Sequence, residues 1–237
     1  MERPSSTRVP FPWWLLAIVL FVGLLPYGVA GQSISSPYRY LENKQEWGLI
    51  FGYAEIGTGR FELGPQGGLV AGARWGVELS GPLGFELNGA VTSGTRNIMN
   101  PARLVGDWYV GDGEARTGTV DARFRFALPG ARTWHGLRPF IVFGGGVAFD
   151  LSGVEPLEAD MEPDDVFNFG TSFFGTVGGG SQIFLSDRLS LRPEAIFSFW
   201  KLDTPPGYSL PERELADVEQ SEWASGYRLT LSLGYHR

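Results

Sequence analysis

Residues 226–237, GYRLTLSLGYHR, alternate with a period of two. Tyr227, Leu229, Leu231, Leu233 and Tyr235 are large and apolar; Arg228, Thr230, Ser232, Gly234 and His236 stand between them. Successive side chains of a strand point to opposite faces, so this segment folds as a strand with one apolar and one polar face. The tyrosines at both ends of the stripe add a constraint. Aromatic rings with a polar tip favour the edge of a lipid layer, and leucines between them suit hydrocarbon. A soluble sheet can carry the same alternation, so the class depends on the other segments.

Those segments divide the chain into eight candidate strands: 46–56, 66–80, 84–93, 117–128, 138–150, 169–185, 188–202 and 224–235. Their connections alternate in length. Loops 57–65, 94–116, 151–168 and 203–223 are the longer ones; 81–83, 129–137 and 186–188 are shorter. In an up-and-down barrel this places all longer loops at one end. Membrane barrels have that asymmetry, with long outer loops, short periplasmic turns and an even strand count. The expected fold is therefore all-β: an eight-stranded antiparallel up-and-down transmembrane β-barrel. A soluble lipocalin-like or sandwich domain is the alternative.

The N-terminal region fits export. Arg3 and Arg8 precede the apolar run Trp13 to Leu25, and Gly28-Val29-Ala30 supplies small residues for cleavage after Ala30. The run is thirteen residues long, short of the roughly 17–25 a spanning helix needs. Residues 1–30 read as a signal peptide, 31–45 as a loose periplasmic lead-in and 46–237 as the barrel domain. About 205 residues after the signal suffice for one all-β domain. Removing two arginines and one glutamate takes the formal charge from −7 to −8, which disfavours general nucleic-acid binding. With no cysteine there is no disulfide scaffold, thiolate chemistry or cysteine-borne lipid anchor.

The faces sort residues by chemistry. Val120, Ala122, Phe124, Phe126 and Leu128 share one face of the fourth segment, opposite Asp121, Arg123 and Arg125. The seventh sets Leu189, Leu191, Phe197 and Phe199 against Arg192 and Glu194; the second sets Trp75, Val77 and Leu79 against Arg74 and Glu78. In a membrane barrel the lumen receives Arg74, Glu78, Glu86, Asp121, Arg123, Arg125, Arg192, Glu194 and Arg228. Buried charges require partners, so these are expected to form a connected polar network. Gly144, Gly146, Gly178 and Gly180 are expected on the same inward face. Pro139 and Pro193 remove ladder donors and mark strand starts or irregular positions.

On LRPFIVFGGGVAFD (137–150), TVGGGSQIFL (176–185), LSLRPEAIFSFW (189–200) and LTLSLGY (229–235), residues 46–237 resemble the small eight-stranded outer-membrane barrels of Gram-negative bacteria, the OmpA/OmpX-like group. The resemblance implies an outer-membrane location, delivery by the outer-membrane insertion machinery, and contact with outer-membrane lipids and lipopolysaccharide. That group usually ends in phenylalanine; this chain ends Tyr235-His236-Arg237.

Little enzymatic chemistry is readable. His135 falls in an expected periplasmic turn and His236 near the terminus. No local nucleophile, base and acid come together, and the histidine–serine pairing associated with barrel deacylases is not evident. No cofactor or zinc site is implied. Glu155, Glu158, Asp160, Glu162, Asp164 and Asp165 crowd the 151–168 loop, and Glu212, Glu214, Asp217, Glu219 and Glu222 the 203–223 loop. The first cluster could hold a divalent cation through carboxylate oxygens, or it could be a solvated, mutually repelling loop. The resulting expectation is a non-enzymatic barrel with a structural or surface-interaction role through its long loops. A small pore is the second reading; a lipid-modifying enzyme or a soluble lipocalin-like binder follows behind.

Overall fold

In the computed structural model the described residues are 37–41, 44–104, 106–153, 155–210, 213, 215 and 218–237. The expected signal peptide and Glu212, Glu214 and Asp217 lie outside them.

Eight long strands close on themselves. They are β2 (Gln45–Ile56), β3 (Pro65–Ser80), β4 (Leu83–Met99), β5 (Tyr109–Ala127), β7 (Leu137–Asp150), β8 (Thr171–Phe184), β9 (Leu189–Asp203) and β10 (Ser221–His236). Each pairs antiparallel with its chain neighbour, and β10 closes the ring on β2, with Tyr235 opposite Trp47 and Tyr227 opposite Glu55. Two three-residue strands, β1 (Tyr38–Tyr40) and β6 (Arg132–Trp134), pair with each other beside the β5–β7 connection. The lead-in is thus not loose throughout: Tyr38 to Tyr40 is held by backbone pairing.

One other expectation is corrected. Residues 94–116 are not mainly a loop: β4 and β5 stay paired from Ser93–Arg116 out to Met99–Tyr109, with one irregularity at Ile98/Met99, leaving only 100–108 as connection. Their Gly- and Asn-rich composition reads as turn, but Ile98 and Ala115 face inward and continue the alternation. Pro193 lies inside β9 and, as expected, at an irregular position: the β8–β9 pairing passes from Gly180–Glu194 directly to Ile183–Leu191. Of the short turns, the one after β3 uses Gly81 at φ +49, a left-handed conformation that only glycine adopts without strain.

The faces are inverted relative to a soluble protein. Leu49, Phe51, Leu69, Val120, Phe124, Ile141, Phe143, Phe197 and Leu231 point outward and are exposed, whereas arginines and carboxylates fill the inside. Aromatic rings mark both rims. Trp47 and Trp75 stack near Tyr235 at the short-turn end, with centroids 6.3 Å apart, and Tyr53, Phe173, Trp223 and Tyr227 ring the long-loop end. Tyr227 and Tyr235 are eight residues apart, roughly 26 Å along an extended strand and about 20 Å along the axis at the usual tilt. That matches the height of a barrel's lipid band. A belt this wide and this apolar is a membrane surface, because exposing it to water would drive aggregation.

Leu231 is 47 % exposed on the outer face while Thr230 is 8 % exposed inside. Leu231→Arg should therefore reduce the folded, heat-modifiable fraction in lipid vesicles, at a cost of about 2–4 kcal/mol, with Thr230→Ser close to wild type. Equal folding of the two variants would reverse the face assignment.

Candidate functional site: a plugged lumen under a folded loop cap

The inward arginines and carboxylates meet near the short-turn half of the barrel. Arg192 grips Glu86 with two hydrogen bonds, Nη1 to Oε1 at 2.6 Å and Nη2 to Oε2 at 2.9 Å, and also donates to Glu194. Arg123 donates to Glu194 at 2.8 Å and to Asp121 at 3.0 Å. Arg125 lies 2.7 Å from Glu86, donates to Gln182 at 3.1 Å and pairs with Glu78. Gln182 in turn donates to Glu46 at 2.6 Å, and Glu46 accepts from Arg74 at 2.7 Å. Arg138 completes the lower end, donating twice to Glu78, at 2.6 and 3.0 Å, and to the Gly130 carbonyl at 3.1 Å. With Ser232 accepting from Arg74 at 3.2 Å, all eight barrel strands contribute a member. The Arg192 guanidinium also lies 4.0 Å over the Phe140 ring.

Arg228, also predicted among these residues, joins at the upper edge through a long ion pair, 3.9 Å from Asp121. Glu46, Arg138 and Gln182 belong to the network without having been singled out. Glu46 begins a strand, Arg138 precedes a stretch apolar on both faces, and Gln182 carries no charge, so period-two reading passed over them.

Glycine makes the room. Directly across the ladder from three inward arginines stands a glycine: Gly48 from Arg74, Gly84 from Arg125 and Gly144 from Arg123. A Cβ at Gly48 or Gly84 would sit 3.3 or 3.1 Å from the facing guanidinium nitrogen. An eight-stranded lumen has space only for packed side chains, so long cations are accommodated by removing the side chain opposite.

At the other end the loops are folded. Leu63, Phe167, Trp200, Leu202, Tyr208 and Ala224 form a buried apolar cluster, with Phe61, Met99, Phe169, Phe174, Leu215 and Val218 packed on it. The Phe61 and Tyr208 rings are 5.0 Å apart, and the Tyr208 hydroxyl donates to the Met99 carbonyl at 3.4 Å. Burial and the nearby Asp165 carboxylate push that hydroxyl's pKa up from its ordinary value. The acidic loop is tied into this cap. Glu158 accepts from Arg96 at 2.5 Å; Asp165 takes two bonds from Arg213, at 2.5 and 2.9 Å; Glu155 accepts the Glu114 N–H at 2.9 Å. Asp160, Glu162 and Asp164 stay exposed. The six acids are dispersed, and no group of three metal-ligating side chains forms among the described residues.

The expectation of no histidine–serine pairing is corrected. His236 Nε2 lies 2.7 Å from Ser190 Oγ because the β9–β10 register sets Ser190 opposite Gly234, two residues from His236. Ser190 is fully buried inside the short-turn end, so its hydroxyl is not presented to a substrate. His135 lies in the short β6–β7 turn at φ +50 and packs against Trp134.

No protein-family model matches the chain, and neither does any curated protein. Solved structures do resemble it. The outer membrane protein OprG from Pseudomonas aeruginosa superposes with a TM-score of 0.51 at 9% identity, over 82% of this chain and 97% of that one. Neisserial surface protein A gives 0.49 at 10% identity, over 85% and 98%. Ail of Yersinia pestis gives 0.41 at 11% identity, over 83% and 99%. At 9% identity the likeness to OprG bears on the fold alone, an outer-membrane β-barrel.

A lumen crossed by bonded arginines and carboxylates is expected to leave ions no continuous water path. Refolded protein in planar bilayers should show no steady conductance. A reproducible ion-selective pore in the wild type would contradict the plug.

Proposed function

We propose that this chain is a non-enzymatic outer-membrane barrel that presents a rigid loop cap at the cell surface, and that its contacts with partners are made by the cap. One observation carries the reading: the four longer connections pack on one apolar and aromatic core, and the 151–170 loop is further tied by ion pairs to Arg96 and Arg213, instead of each extending separately into solvent. Preorganised loops lose little conformational entropy on binding, which favours a recognition surface. The ion network below the cap speaks against solute passage, and the buried Ser190 against a surface hydrolase. Asp160, Glu162 and Asp164 remain on the exposed side, where a divalent cation could bridge them to lipopolysaccharide phosphates.

The cap should resist protease from outside. Arg213→Ala removes two bonds to Asp165 and one to the Gly207 carbonyl. Hydrogen bonds to charged groups contribute about 1.5–3 kcal/mol, and cleavage tracks the opened population when reclosing is fast. Protease added to intact cells should then cut the 151–170 or 204–220 loop of Arg213→Ala at least tenfold faster than wild type. Equal rates would leave the cap without a structural role. Cleavage at 129–136 instead would turn the barrel over.

A further inference from the structure

We propose that the upper lumen, between the ion network and the loop cap, binds a small organic carboxylate seated on Arg228. Three observations converge there.

The first is charge. Among the described residues the ion network and its upper edge hold six arginines, Arg74, Arg123, Arg125, Arg138, Arg192 and Arg228, against five carboxylates, Glu46, Glu78, Glu86, Asp121 and Glu194; higher up, Arg96 has its own partner in Glu158. Arg228 is the odd cation. The nearest lumen carboxylate, Asp121, is 3.9 Å away and already accepts from Arg123 and from Asn88 at 3.0 Å. The Arg228 side chain is only 12 % exposed, and among the described residues its Nε has no hydrogen-bond partner. A guanidinium withdrawn from water and left short of a counter-charge favours an incoming anion.

The second is space. A cavity of about 80 Å³ is lined by Arg228, Thr92, Thr117, Ser198 and Trp200 among others. Its existence follows from sequence: Gly226 lies between Arg228 and Ala224 on β10, opposite Ser198 of β9, while Trp200 stands opposite Ala224. Small residues at these registers leave room between the arginine and the indole. At roughly 30 Å³ per water the volume equals two to three waters, which suits an organic anion of about four or five heavy atoms.

The third is a second orphan donor. The Trp200 indole Nε1 is buried and has no acceptor among the described residues, and Trp200 lines the same cavity. Buried N–H groups are nearly always paired, and here two unpaired ones belong to residues bordering one space. Ala54, Ala148 and Phe169 add apolar wall, which favours a carboxylate with a hydrocarbon body over a strongly hydrated inorganic ion. Glu55 also borders the cavity, but its carboxylate is bonded by the Tyr227 hydroxyl across the β2–β10 seam.

The test uses refolded full-length protein in detergent micelles with nitrogen-15 labelling. Propionate is titrated against propionamide, its neutral counterpart, and against chloride at matched ionic strength. Saturable shifts of the Trp200 indole N–H and the Arg228 Nε–H are expected with propionate and absent with propionamide. Binding should weaken at least tenfold in Arg228→Gln, and return in part in Arg228→Lys. Ser198→Leu fills the cavity while keeping Arg228 and should abolish binding; it carries the test if Arg228→Gln lacks the heat-modifiable folded form. No saturable shift in wild type, an unchanged affinity in Arg228→Gln, or the same shift from chloride at the same concentration would overturn the proposal.

Discussion

Eight strands close around an interior that side chains fill, so charges that point inward are neutralised by other side chains. This constraint organises the molecule. Glu86 is held by Arg192 and Arg125, Glu194 by Arg192 and Arg123, and Glu46 by Arg74 and Gln182. Each carboxylate thus meets more than one donor, the condition under which a buried pair offsets the cost of leaving water. The links run from strand to strand around the whole ring, and they fix its register from within.

The exterior and interior obey one rule. Period-two alternation commits half of each strand to lipid, which accepts Leu, Phe and Val without cost; the other half must then satisfy itself inside. The glycines facing Arg74, Arg123 and Arg125 on one neighbouring strand are the steric counterpart, since a residue without a side chain leaves room for a long cation in a packed lumen. Above the network the lumen is mixed: Ala54, Val70 and Ala90 cluster on one side, Thr92, Thr117, Ser198 and Arg228 stand at the same level, and Ile56 links the apolar cluster to the aromatic cap. Closure of the barrel and folding of the loops are in this way one continuous packing problem.

The alternation at Tyr227–Tyr235, Val120–Leu128 and Leu189–Phe199 made the strand count, closure and face assignment legible from sequence. The pairing partners were not, because they join strands far apart in the chain: Arg192 and Glu86 are separated by 106 residues and Gln182 and Glu46 by 136. The Ser190–His236 contact was hidden for the same reason. The cap was invisible because Phe61, Trp108, Phe167 and Tyr208 come from four different connections, each of which reads alone as loop. The β4–β5 extension was missed because Gly111 and Gly113, with Asn97 and Asn100, mimic turn chemistry in a segment whose backbone pairing continues.

The claim that the lumen network holds the barrel together is tested most directly by a double-mutant cycle on Glu86 and Arg192, using urea unfolding in lipid vesicles. Glu86→Gln and Arg192→Met should each cost about 3–5 kcal/mol, because each leaves a buried charge short of its partner. The double variant should be more stable than the sum of the two by about 2 kcal/mol or more. Single variants within about 0.5 kcal/mol of wild type, with additive effects, would contradict the account.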